Sequence, residues 1–356
     1  MSGANFPGCA LTYDLATETL ILWIPYVEPR QILWYGRTPT PKECLSRLDV
    51  TDVHYISHLT PYIKQTLLSS RTPTLYVLHP SQQPPLTLSA ARGIRVDAGA
   101  LRPAMDAARV IKTDYEVAMV RKANAVSSAA HRKVARRLRT MTNEREIEAL
   151  FRAECAVRGA KNQAYAPIAG SGTNAATLHY EDNDQPLAGR QLVVVDAGCE
   201  WDVYASDVTR TFPLNGCFSP EAGAVYSIVE KMQDECIRAV RPGMHFYRLH
   251  LHAAAVAVVG LMRLGVLKGG SVGEIFKAGT VAGFFPHGLG HHIGLETHDV
   301  SGRDRLLVQG IGGRRERRDV VSAAALRDLM PWATPPPYEG KQKLEKNMIV
   351  TIEPGM

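Results

Sequence analysis

The chain has 356 residues, 45% of them apolar and 21% charged, with a formal net charge of +6. That balance is the composition of a globular protein and excludes disordered and fibrous classes, while the length leaves ample chain for a buried core. The longest apolar run, near Ala253 to Met262, is about half the roughly 18 residues of a membrane span, so no membrane partner is expected.

The chain opens almost directly on a strand, so an N-terminal portion is expected to be missing. Cys9-Ala-Leu-Thr-Tyr13 and Thr19-Leu-Ile-Leu-Trp-Ile24 flank Asp14–Glu18 as in a hairpin. Val53–Ile56 and Thr74–Leu78 read as further strands, with a helix pattern through the 60s between them. After Pro103 the texture turns helical. Thr113-Asp-Tyr-Glu116 is a capping box ahead of Met119, Ala123, Val126 and Ala130 at helical spacing. A second helix starts at Asn143, with Glu146 three residues on, and stops near Gly159. A third has Ser219 as N-cap and Pro220 at its first position, and runs to about Val240. Between these two, Gln191–Asp196 is a strand with a return through Tyr204 to Phe212. Pro331–Glu345 reads as a loop or linker.

Two basic runs, His131–Arg139 and Gly313–Arg318, carry much of the positive charge. Val134 and Leu138 share a helix face in the first, so it reads as a solvated helix surface. No binding motif accompanies either run, so nucleic acid is not an expected partner. The six cysteines, Cys9, Cys44, Cys155, Cys199, Cys217 and Cys236, include no CxxC pair and read as reduced thiols. With no basic stretch ahead of an apolar one at the N-terminus, a cytoplasmic location is expected.

Three segments hold candidate chemistry. If Trp201-Asp202 is a hairpin tip, Asp196 faces Asp207 across the strands, with Cβ atoms about 4.5–5.5 Å apart. Opposed carboxylates repel unless a cation lies between them, and two dications about 3.5–4 Å apart fit that gap. The alternative is a pair of surface aspartates near a turn, although Val193-Val-Val195 ahead of them argues for a buried strand. His287-Gly-Leu-Gly-His291-His-Ile-Gly-Leu-Glu-Thr-His298 lacks the glutamate of the HExxH zinc helix and the spacing of a dinucleotide loop. Its histidines and glycines suggest a loop or strand presenting imidazoles to a site. Glu353, in Ile352-Glu-Pro-Gly355 at the end of an apolar strand, could serve as an oxygen ligand, whereas His179 taken alone reads as a surface residue.

Taken together, Leu178-His179-Tyr180, Asp196 with Ser206-Asp207-Val-Thr-Arg-Thr-Phe-Pro213, His287 with His291 and His298, and Ile352-Glu353-Pro-Gly355 resemble the Xaa-Pro aminopeptidase and prolidase family of metallopeptidases, with the fungal members nearest. The resemblance implies an α+β fold: a pita-bread catalytic domain over 106–356, preceded at 1–105 by part of a smaller α/β N-terminal domain. It implies that Asp196, Asp207, His291 and Glu353 bind metal, with Asp207 bridging two manganese ions per subunit. His179, His287 and His298 would bind substrate, and His298 and His179 would assist proton transfer. Substrates would be peptides with proline at the second position, and the resemblance admits a homodimer. Prolidase, which cleaves Xaa-Pro dipeptides only, shares these motifs, and a non-catalytic binding protein on the same fold is the alternative from another class. The family pattern also needs a second bridging glutamate beyond Met356, so the site is expected to be one carboxylate short. The segment 303–345 has no counterpart and is expected to be an insertion or misread sequence.

Overall fold

The computed structural model describes residues 3–4, 6–69, 73–84, 94–300, 306 and 342–356. Apart from Leu306 and 342–345, the expected insertion over 303–345 lies outside the described residues, as do 331–341 of the expected linker and the basic run at 313–318. The chain divides into two compact units, Met1–Met105 and Asp106–Met356.

In the first unit, β1 (Ala10–Asp14) and β2 (Thr19–Ile24) form the expected antiparallel hairpin, with Asp14 opposite Thr19. The Asp14 carboxylate closes the turn by accepting from the backbone N–H groups of Ala16 and Thr17 at 2.8 and 3.2 Å. Short helices α1 (Pro29–Tyr35) and α2 (Pro41–Leu45) lead to β3 (Asp52–Tyr55), which pairs parallel to β2. Leu22, Ile24, Cys44 and Val53 form the core beneath this sheet. The helix expected in the 60s is α3 (Leu59–Ser69), followed by β4 (Thr74–Tyr76) and its parallel partner β5 (Arg95–Asp97).

After α4 (Leu101–Val110), the second unit begins its long helix α5 (Asp114–Arg137) at the expected capping box. Val120, Ala123, Val126, Ala130 and Val134 are buried along α5 at helical spacing. Val126, Ala130 and Val134 pack with Ile147 and Phe151 of α6 (Glu144–Val157) over one face of a small antiparallel sheet. That sheet has β7 (Leu192–Asp196) at its centre, between β6 (Ile168–Ser171) and β10 (Thr209–Pro213). Because strand side chains alternate, Val193 and Val195 enter the helical core and Asp196 points to the other face.

Between β7 and β10 lies the short ladder of β8 (Glu200–Trp201) and β9 (Tyr204–Ala205). Its tip is Asp202-Val203, both left-handed at φ 47° and 64°, not the expected Trp201-Asp202. The register therefore differs from the expected one: Asp196 faces Thr209, and Asp207 lies two residues earlier as a diagonal neighbour. A shift of two residues preserves the face, so both carboxylates still lie on the same side of the sheet.

Helix α7 (Pro220–Ala239) has the expected Ser219 cap. It packs on α8 (Phe246–Arg263), buried on most of its circumference from Phe246 to Leu261, and α9 (Val272–Lys277) follows. The segment 287–298 is a loop, held by the extended tail 342–356. Glu353 N donates to Leu289 O, Thr351 N to His291 O and Ile293 N to Ile349 O, at 2.8, 2.9 and 3.2 Å. Among the described residues no helix is long and apolar enough to cross a membrane.

Candidate metal centre

The tail-to-loop ladder brings Glu353 against His291, and the hairpin brings Asp207 to the same point. One ligand atom from each of Asp207, His291 and Glu353 lies within 4.8 Å of the others. His291 Nε2 is 3.3 Å from Asp207 Oδ2 and 3.0 Å from Glu353 Oε1. The other ring nitrogen, Nδ1, lies 2.9 Å from the His292 carbonyl, to which it must donate. That contact fixes the ring and directs Nε2 toward the two carboxylates. Nε2 is buried against these two carboxylates, where, once deprotonated, it can offer its electron pair to a cation that they also face.

Asp196 lies outside this group of three and is linked to Asp207 through Tyr165. The Tyr165 hydroxyl donates to Asp196 Oδ1 and, at 3.0 Å, to Asp207 Oδ1. The two oxygens of Asp207 therefore have different partners: Oδ1 accepts from Tyr165, whereas Oδ2 faces His291 Nε2.

The charges support the same arrangement. Burial, then the neighbouring Asp207 charge, pushes the Asp196 carboxyl up to about 7. Burial alone would depress His291, but the Asp207 and Glu353 carboxylates outweigh it and raise the imidazolium to about 10. The cluster takes up protons where a cation would relieve it. Carboxylate oxygens with one imidazole nitrogen form a donor set that fits a divalent ion harder than those favoured by thiolates.

The remaining histidines surround this group. The His298 ring meets that of His291 edge-on, with centroids 4.2 Å apart. Burial first, and then the positive His291, holds His298 below the ordinary histidine range. The His287 ring packs edge-on against Phe285 and lies beside the Glu353-Pro-Gly stretch, where a Cβ on Gly355 would come within 3.1 Å of its Nε2. His179 is exposed on the turn after β6.

Two residues escaped the sequence reading. Tyr165 ties the two aspartates together, and Thr351 accepts from His291 N at 2.9 Å while donating to Glu353 Oε1 at 2.6 Å. Gly290 permits that Thr351 contact, because a Cβ there would sit 2.2 Å from the Thr351 carbonyl oxygen. Gly290→Ala is expected to lower stability by about 2–3 kcal/mol and to reduce divalent-metal affinity, since the clash pries His291 from Glu353. Urea denaturation and metal titration of the purified variant check this; parent values in both would show that the loop and tail separate without cost.

Comparison with known proteins identifies the family. Residues 118–356 match the model of metallopeptidase family M24, and residues 1–76 that of the aminopeptidase P N-terminal domain. A probable Xaa-Pro aminopeptidase of Colletotrichum graminicola is 57% identical over 371 residues, covering 100% of this chain and 70% of that protein. One from Metarhizium acridum is 50% identical over 364 residues, covering 100% and 71%. Among solved structures, zinc-substituted aminopeptidase P of E. coli in complex with product superposes with a TM-score of 0.77 at 27% identity, over 99% of this chain and 76% of that one.

Proposed function

Because the chain belongs to metallopeptidase family M24, we propose that it is an Xaa-Pro aminopeptidase, hydrolysing the bond between an N-terminal residue and a following proline. The observation that carries the metal part of this reading is the convergence of Asp207, His291 and Glu353, with one ligand atom of each within 4.8 Å of the others. On this reading Asp196, Asp207, His291 and Glu353 would be the residues that hold two manganese ions per subunit. Bound divalent ions supply Lewis-acid polarisation of the scissile carbonyl and lower the pKa of a water.

The chain's own residues do the rest. His291 is held by its Nδ1 contact so that only Nε2 faces the site, and Thr351 fixes Glu353 by donating to Oε1. His298, held below its ordinary range, is a neutral imidazole near neutral pH, suited to accept or pass a proton on the substrate side. His179 and His287 complete the substrate-facing set. A cytoplasmic location fits the six cysteines, all of them free.

Aminopeptidase is preferred to prolidase because the relatives are named Xaa-Pro aminopeptidases and residues 1–76 match the aminopeptidase P N-terminal domain. The filled positions at Asp196, Asp207, His291 and Glu353 oppose a non-catalytic binding protein. Parallel assays with Ala-Pro-Ala and Ala-Pro in added Mn²⁺ test the choice. Cleavage of the tripeptide is expected where the donor set is complete; hydrolysis of Ala-Pro alone would make the protein a prolidase, and hydrolysis of neither by a protein that retains both Mn²⁺ ions would leave a binding protein.

A further inference from the structure

Among the described residues outside the metal centre, buried charges form a cluster around Asp299. Asp299 is 1% exposed and Lys112 2%. Lys112 Nζ donates to Asp299 Oδ2 at 3.0 Å, and Arg109 Nη2 donates to Oδ1. The same Arg109 nitrogen reaches Glu296 Oε2 at 3.0 Å. Two cations thus meet two carboxylates, and the cluster is neutral within itself.

Both sides of the cluster are anchored. Lys112 sits directly before the capping box that starts α5, and its backbone N–H donates to Asn347 O at 2.9 Å. Asp299 N donates to His292 O at 2.9 Å, closing residues 292–299 into a ring of chain with His291 just before it and His298 at its far end. The loop folds tightly over the carboxylate: a Cβ on Gly294 would lie 2.6 Å from Asp299 Oδ2.

A buried ion pair is weak grounds for stability, because well-packed apolar groups of similar volume often do as well. What two donors on opposite oxygens do provide is orientation. They fix the rotation of the Asp299 side chain, hence the direction of its backbone and of the adjoining His298. We propose that Asp299, clamped by Lys112 and Arg109, is a positioning residue that sets the His298 imidazole edge-on against His291 and toward the substrate. This rests on the substrate-side role of His298 stated above.

A double-mutant cycle of Lys112→Met and His298→Ala, read as kcat and KM on Ala-Pro-Ala in saturating Mn²⁺, tests the clamp. Lys112→Met should lower kcat about 10–100-fold with little change in KM or bound Mn²⁺, as loss of an outer orienting partner does. In the His298→Ala background the same change should cost less than about threefold, because the group it positions is gone. Lys112→Arg, which keeps a donor, should recover part of the loss. In the metal-free protein, the His298 ring-proton resonances should shift in Lys112→Met while those of His287 stay in place. Independent, multiplying losses in the cycle, or an unchanged kcat in Lys112→Met, would overturn the clamp and leave the role of His298 standing. A parent rate in His298→Ala alone would instead remove that role, and the clamp with it. If Lys112→Met does not fold, Arg109→Gln at the edge of the cluster enters the same cycle.

Discussion

Asp207→Asn is expected to lose most of its bound Mn²⁺ after dialysis and to hydrolyse Xaa-Pro bonds at least about a thousandfold more slowly. The two oxygens of Asp207 are engaged on different sides, one with Tyr165 and one toward His291. An amide supplies only one oxygen and no charge, so whichever way it turns, one side loses its shared ligand. Asn substitution at the exposed Asp182 or Asp184 should leave metal content at the parent level, and equal content in all three variants would remove the basis for the site. In the metal-free protein the same change has two opposed effects. Asp196 is pushed up to about 7 by burial and then by the Asp207 charge, so removing that charge relieves repulsion. It also removes the carboxylate that helps raise His291 to about 10, which costs stability below that pH.

Features legible in the sequence are those with a local chemical cause. Thr113 with Glu116 and Asn143 with Glu146 each close a capping box within one turn, and both helices begin where those pairs stand. The hairpin tip at 201–204 lies one residue beyond the expected one, because a β-branched valine in the left-handed region runs against turn chemistry, yet Val203 occupies it at φ 64°. The shared face of Asp196 and Asp207 survived that error because side-chain period and register both shift in steps of two. Helix α8 was visible only as an apolar run, since a helix buried on most sides has no amphipathic stripe to read. Tyr165, Thr351 and the Lys112–Asp299 pair, 187 residues apart in sequence, lack any local signal. Single hydroxyls and distant charges acquire meaning only once the chain has closed.

The largest expected loss of stability comes from Glu144, which is 0% exposed at the first position of α6. Oε1 accepts from Ser171 N and Oγ at 2.8 and 2.6 Å, from Asn174 Nδ2 at 3.2 Å and from Arg190 Nη1 at 3.4 Å. Oε2 accepts from the Tyr180 hydroxyl at 2.7 Å and from Gln185 N at 3.0 Å. This one carboxylate joins the start of α6 to the end of β6 and to the residue after His179. Glu144→Gln keeps the volume but turns an amide group toward donors and leaves Arg190 without its counter-charge, so a loss of about 3–5 kcal/mol is expected at pH 7. The pH dependence identifies the cause. Burial raises the Glu144 pKa, but the donors of Ser171, Tyr180 and Gln185 outweigh it and hold the group below its ordinary value of 4.5. A depressed folded pKa contributes stability that is complete above the unfolded value and is lost as pH falls through the folded one. The parent should therefore lose stability on acidification below about pH 4.5 faster than Glu144→Gln does, narrowing the gap between them. Denaturant unfolding of both proteins at pH 7 and at about pH 3, well below the unfolded value, reads that gap. A gap of the same size at both values would mean that shape, not charge, holds these six donors together.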